Sequence, residues 1–219
     1  MMDRPRIGVI IPAYNEEATV GEVVEAARDS RLIDDVVVVD DGSSDDTGQV
    51  AAAAGARVVA EGHRGKGQSL LAGARATDAD ILVLLDADLI GLRSDHVARL
   101  IRTVADGDAA MALGLFDRGP RLNWLFLRVL PRLTGERALR RDLLLSLDPV
   151  DARGYRIEAA LNSYVAQRGG KVRAFVLDGM FHRTKEEKEN IPLVGFARKV
   201  GMLSVAMWEY FAYRLRRLD

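Results

Sequence analysis

The chain has 219 residues, 48% of them hydrophobic, which is enough for one sizeable core and predicts a single domain over residues 1–219. Its 31 lysines and arginines against 32 aspartates and glutamates leave a formal charge of -1, so no overall basic field argues for a nucleic-acid partner. The absence of cysteine excludes a disulfide framework and a thiolate zinc site, and suits a reducing compartment such as the cytoplasm.

The first segment, "RIGVIIP", reads as a strand. Its apolar run is broken by Pro12 and then by acids, without the length and flanks of a signal peptide. No run reaches the roughly eighteen apolar residues that a membrane span requires, so the expectation is a soluble protein, or at most one attached to a surface. Val20, Val23, Val24 and Ala27 follow at helical spacing, and "DVVVVD" is the next strand. Then "DDTGQVAAAAGA" reads as a helix closed by glycine, "RVVA" as a strand, "KGQSLLAGARAT" as a helix and "ILVLLD" as a fourth strand. This alternation predicts an α/β fold with a mostly parallel central sheet flanked by helices. The second half is less regular: a strand "AAMALGLF", a turn at "DRGP", mixed segments through "TGERALRRDLL", a helix "YRIEAALNSYVAQRG", a strand "KVRAFVLDG" and a charged loop "HRTKEEKEN". A last helix is expected after Pro192, with Phe196, Val200, Leu203, Met207, Tyr210 and Phe211 on one broad face and Arg214, Arg216 and Arg217 near its end. That face reads as core, as a dimer surface, or as a peripheral contact with anionic lipid.

In a sheet of this kind ligands bind beyond the carboxyl ends of the strands. "PAYNEE", "DDGSSDD", "HRGKG" and "DAD" each follow a strand, so all four converge on one rim. Asp86 and Asp88 leave a wholly apolar strand together. Two such carboxylates stay ionised when a cation compensates them, and hard divalent ions take oxygen ligands. The alternative is that one aspartate caps the next helix and the other is solvated. Asp40 and Asp41 can accept hydrogen bonds from a nucleobase edge or a ribose, or form a turn capped by Ser43, Ser44 or Asp45. In "HRGKG", glycines flank Arg64 and Lys66, so backbone N–H groups and a cation either face a phosphate or form a solvated basic turn. There is no G-x-x-x-x-G-K-[ST] and no G-x-G-x-x-G after the first strand, which disfavours a P-loop NTPase or a dinucleotide enzyme.

Taken in order, "IPAYNEE", "VVDDGSSDDT", "GKG" and "LLDADL" resemble the nucleotide-sugar-binding half of GT-A-fold glycosyltransferases of the family-2 type. On this resemblance residues 1–90 hold the donor and 91–219 the acceptor. The later "GERAL", "GYRIEAAL" and "FHRTKEEK", with the "PL" beyond, more loosely resemble glucosyl-3-phosphoglycerate and mannosylglycerate synthases and polyprenyl-phosphate glycosyltransferases. The resemblance implies a UDP- or GDP-sugar donor, a divalent cation (Mg2+ or Mn2+), and transfer to an unidentified acceptor, with an anion or a lipid phosphate among the options. It implies that Pro12, Ala13, Tyr14 and Glu16 line the base and ribose, that Asp41 contacts the base, and that Lys66 approaches the diphosphate or ribose. It makes Asp88 the main metal ligand, with Asp86 reaching the sugar or ribose.

The second half carries further assignments. His182 resembles the histidine that completes the metal site in the glycerate-type relatives, against the plain alternative of a surface histidine. Glu158 lies where inverting members carry the acid that deprotonates the acceptor. Its other reading is a first-turn carboxylate that is favourable against the helix dipole. The segment departs from the usual inverting pattern, an acidic pair preceded by an aromatic, so the stereochemistry stays open. Glu136 and Arg137 are expected in a turn before a helix, either solvated behind a Thr134 cap or meeting an anionic acceptor. A sugar-phosphate nucleotidyltransferase is the rival enzyme, but it would show a glycine-rich basic loop where this chain has "PAYNEE". A silent sugar-nucleotide-binding scaffold is the rival from another class, and the intact Asp86 and Asp88 argue against it.

Overall fold

The computed structural model describes residues 4–117, 123, 134–152 and 156–182. The helix expected after Pro192, the charged loop after His182 and most of the "DRGP" turn lie outside the described residues. The described elements are β1 (Ile7–Ala13), α1 (Val20–Arg28), β2 (Asp35–Asp40), α2 (Thr47–Ala53), β3 (Arg57–Ala60), α3 (Lys66–Ala76), β4 (Ile81–Leu84), β5 (Leu89–Ile90), α4 (Ser94–Ala105), β6 (Met111–Phe116), β7 (Arg137–Arg140), α5 (Arg141–Leu145), α6 (Arg156–Gln167), β8 (Val172–Leu177) and β9 (Phe181–His182).

The main sheet has seven strands in the order β3-β2-β1-β4-β7-β6-β8. Only β7 runs antiparallel to its neighbours within it. The inner strands are apolar without alternation because both of their faces are covered. Val9, Ile11, Val38 and Val83 point into one core with α1 and α4. Ile10, Val37, Val39, Leu82 and Leu84 point into the other with α3 and α6. A mostly parallel sheet with helices on both faces, as expected, is what this burial produces. No helix among the described residues is long and apolar enough to cross a membrane.

Two elements depart from the sequence reading. The α4 helix was not foreseen, although Val97, Leu100, Ile101 and Val104 make its buried face. "TGERAL" was expected to turn before a helix; instead Arg137–Arg140 is a strand between β4 and β6. Its arginine ends conceal a strand whose Ala138 and Leu139 are fully buried. A separate two-stranded pairing sets Leu89 of β5 opposite His182 of β9.

Candidate functional site

The carboxyl ends of β1, β2 and β4 lie side by side, with Ala13 in register with Asp40 and Ile10 with Leu84. Each apolar strand turns polar at the same edge of the sheet, and α3 begins there. The result is a cavity of about 300 Å³ lined by Pro12, Ala13, Tyr14, Glu16, Asp41, Lys66, Ser69, Asp86, Ala87 and Asp88. Pro12, Ala13, Tyr14, Glu16, Asp41, Lys66, Asp86 and Asp88 therefore gather in one place, whereas Asp40 is not among the lining residues and accepts the Ser43 N–H at 2.9 Å. Ser69 was missed; its signal is its position one turn after Lys66 on α3.

The loops of this rim hold one another. Asn15, at φ 55°, donates its N–H to the Ser43 hydroxyl at 3.0 Å, and its side-chain oxygen accepts from the Ser44 N–H at 2.8 Å. The Glu16 N–H donates to the Thr47 hydroxyl at 2.8 Å. Asp41, only 5% exposed, accepts from the N–H groups of Arg64 and Gly65 at 2.7 and 2.8 Å. These are the amides of "HRGKG" that the sequence reading aimed at a phosphate, so that use of them is corrected: they satisfy Asp41. The second glycine of the motif serves packing, because a Cβ on Gly67 would stand 1.6 Å from the Ala152 carbonyl oxygen. Tyr14 and His63 bring their rings to 4.5 Å at the exposed mouth.

Deeper in the cavity, the Lys66 ammonium lies 2.6 Å from Asp86 and 3.2 Å from Glu158. Burial works against this charge, but the Asp86 and Glu158 carboxylates outweigh it and hold the Lys66 pKa above its ordinary value. Glu158 thus reaches Lys66, at the edge of the cavity, from the first turn of α6. Gly135 passes directly beneath Asp86, where a Cβ would stand 2.5 and 2.6 Å from the two carboxylate oxygens.

Glu136 and Arg137 do not lie on the surface. They are 0% and 1% exposed. The Thr134 hydroxyl lies 2.7 Å from the Gly114 carbonyl oxygen and also meets the Glu136 carboxylate. Arg137 donates to the carbonyl oxygens of Thr134 and, at 3.5 Å, of Glu158. Burial holds the Arg137 pKa below its ordinary value, against the pull of Glu158, Glu136 and Asp86. The expectation that these two residues meet an acceptor directly is corrected: a side chain without exposed surface has none to offer an incoming anion.

Asp88 lines the cavity, and the backbone of His182 pairs with Leu89, the next residue. Sequence separation hid that proximity, and β9 supplies it. Among the described residues no group of three or more His, Cys, Asp or Glu side chains could hold a metal ion. A half-buried carboxylate lining a cavity of about 300 Å³ nonetheless fits a hard cation whose other ligands come from oxygen atoms of a bound molecule and water.

The sequence profile of the family described as Glycosyl transferase family 2 matches residues 8–164. The glucosyl-3-phosphoglycerate synthase of Mycobacterium tuberculosis is 33% identical over 193 residues, covering 71% of this chain and 59% of that protein. The chain therefore spans less than two thirds of the curated relatives that it matches first. The crystal structure of that synthase in complex with Mn2+, UDP and glucosyl-3-phosphoglycerate superposes with a TM-score of 0.76 at 31% identity, covering 97% of this chain and 80% of that one. Its complex with phosphoglyceric acid gives a TM-score of 0.72 at 32% identity, over 85% and 75%. With the mostly parallel sheet, the shared rim and the profile in agreement, the fold is GT-A and the chain belongs to glycosyl transferase family 2.

Proposed function

We propose that this chain is a metal-dependent glycosyltransferase that moves a sugar from a nucleoside-diphosphate sugar to an acceptor hydroxyl. The observation that carries this reading is the cavity in which Lys66, Asp86 and Asp88 meet at the ends of the parallel strands. Pro12, Ala13, Tyr14, Glu16 and Asp41 receive the base and ribose. Asp86 orients the sugar or ribose, Lys66 faces the diphosphate, and Asp88 with His182 holds the metal. The bond between the anomeric carbon and the diphosphate oxygen breaks, and the nucleoside diphosphate leaves with the electron pair. Negative charge grows on that leaving group, where the Lys66 ammonium stabilises it. A bound Mg2+ or Mn2+ supplies Lewis-acid stabilisation of the same charge. The acceptor oxygen forms the new bond, and its proton passes to Glu158 in an inverting reaction or to the departing diphosphate in a retaining one.

The solved relatives carry UDP or UDP-glucose with Mn2+ and phosphoglyceric acid, so UDP-glucose and phosphoglycerate are the first donor and acceptor to try. The test is thermal stabilisation by UDP- and GDP-sugars, each with and without Mn2+ or Mg2+, followed by turnover assays. A donor at a hundred times its dissociation constant adds about 2.7 kcal/mol to stability. Stabilisation by a nucleoside triphosphate with a sugar phosphate, and by no sugar nucleotide, would replace this reading with nucleotidyl transfer. Donor binding without turnover on any acceptor, water included, would leave a silent binding protein.

A further inference from the structure

Arg137 has no place in the chemistry above, yet it is among the largest side chains that the fold buries completely. Its position explains why. On β7 it lies in register with Leu84, the last residue of β4, and two residues before it Gly135 runs under the Asp86 carboxylate. The guanidinium donates to two carbonyl oxygens from different elements, that of Thr134 in the segment beneath Asp86 and that of Glu158 in the first turn of α6, the latter at 3.5 Å. The Met111 sulfur at 3.8 Å closes another side. The planar fork reaches these two acceptors from separate nitrogens, Nη1 to Glu158 and Nη2 to Thr134, whereas an ammonium would have to reach both from a single atom.

The charges around it form one buried group. Lys66 from α3 and Arg137 from β7 each face the same three carboxylates: Glu158 of α6, Glu136 just before β7 and Asp86 beyond β4. Three carboxylates thus meet two cations; Lys66 and Asp86 keep exposed surface toward the cavity, whereas Arg137 and Glu136 keep none. Taking Arg137 away would leave three carboxylates to share one ammonium.

We propose that Arg137 is a positioning residue: it braces the first turn of α6 against the segment under Asp86 and so sets the reach of Glu158 to Lys66. The catalytic consequence rests on the glycosyltransferase reading; the bracing does not. Because loss of the buried cation in Arg137→Met can prevent folding, the working variant is Arg137→Lys, which keeps the charge and loses the fork. In its metal-free crystal structure the Lys66–Glu158 separation should open from 3.2 Å to beyond about 4 Å with β4 and β7 still paired. With UDP-glucose and Mn2+, and either water or phosphoglycerate as acceptor, turnover per UDP-binding site should fall on the order of 10²-fold while the donor KM stays level. Counting sites by UDP titration separates this loss from a merely unfolded fraction. A separation held near 3.2 Å in the folded variant overturns the brace, and so does a donor KM that rises in step with the lost turnover. If the parent itself neither binds nor turns over a sugar nucleotide, the proposed function fails, and the crystallographic distance still decides the role of Arg137.

Discussion

Replacement of Gly67 by alanine tests whether the contact between α3 and the loop before α6 sets the site. Gly67 is the second residue of α3, and its φ lies outside the left-handed region. On helix propensity alone the substitution should stabilise the protein by about 1 kcal/mol. The structure predicts the opposite. The new Cβ would stand 1.6 Å from the Ala152 carbonyl oxygen and 2.6 Å from its carbon, whereas ordinary contact begins near 3.4 Å. The difference between 1.6 and 3.4 Å, about 1.8 Å, must come from backbone movement, because no flexible side chain is there to yield. Overpacking of this kind costs about 1–3 kcal/mol. The hydrogen bond from Gln68 to the Pro149 carbonyl, 2.8 Å long, would be pulled apart at a further cost of about 0.5–1.5 kcal/mol. Set against the helical gain, the net loss is about 0.5–3.5 kcal/mol, a fall in Tm of roughly 1–14 °C for a chain of this size. Urea titration and thermal unfolding measure it, with Gly62→Ala as control, since a Cβ there meets nothing within 4 Å. The control should stay within about 0.5 kcal/mol of the parent. A Gly67→Ala protein as stable as the parent would refute the reasoning.

Asp88→Ala should leave the fold intact and abolish the metal-dependent part of UDP binding, read by calorimetry with and without Mn2+; unchanged metal dependence would remove Asp88 from the metal site. Asp41→Ala leaves the Arg64 and Gly65 N–H groups without their acceptor, so it should cost about 1–3 kcal/mol in urea unfolding even without nucleotide, and weaken UDP as well. Full stability would mean that the loop does not depend on this clamp. His96 is 4% exposed, and burial holds its pKa below the ordinary value. The folded protein then binds fewer protons than the unfolded chain, so this contribution to stability is complete above about pH 6.5 and is lost as the pH falls below that, by at most about 1.4 kcal/mol per pH unit. His96→Gln should flatten the slope measured by urea titration between neutral and mildly acid pH; an equally steep slope would assign it to other groups.

The sheet was legible in the sequence because β1, β2 and β4 are covered on both faces and so read as unbroken apolar runs. The polar rim was legible for a related reason. Where such a run ends in "PAYN", "DDGS" or "DAD", the polar residues have only the carboxyl edge of the sheet to occupy. The α4 helix, by contrast, interleaves charges with its apolar face, and β7 begins and ends in arginine, so neither announces itself.

The sequence by itself determined the fold class and the gathering of polar residues, the carboxylates at the end of β4 among them, at one edge of the sheet, because local apolar pattern and chain direction suffice to place them. Only the tertiary structure decided that Asp41 clamps the "HRGKG" amides, that Glu158 shares Lys66 with Asp86, and that Glu136 and Arg137 lie inside the sheet. Those facts depend on which strand inserts between β4 and β6 and on how closely α3 approaches the loop before α6. Contacts of that kind join residues far apart in the chain, and no local pattern encodes the distance between them.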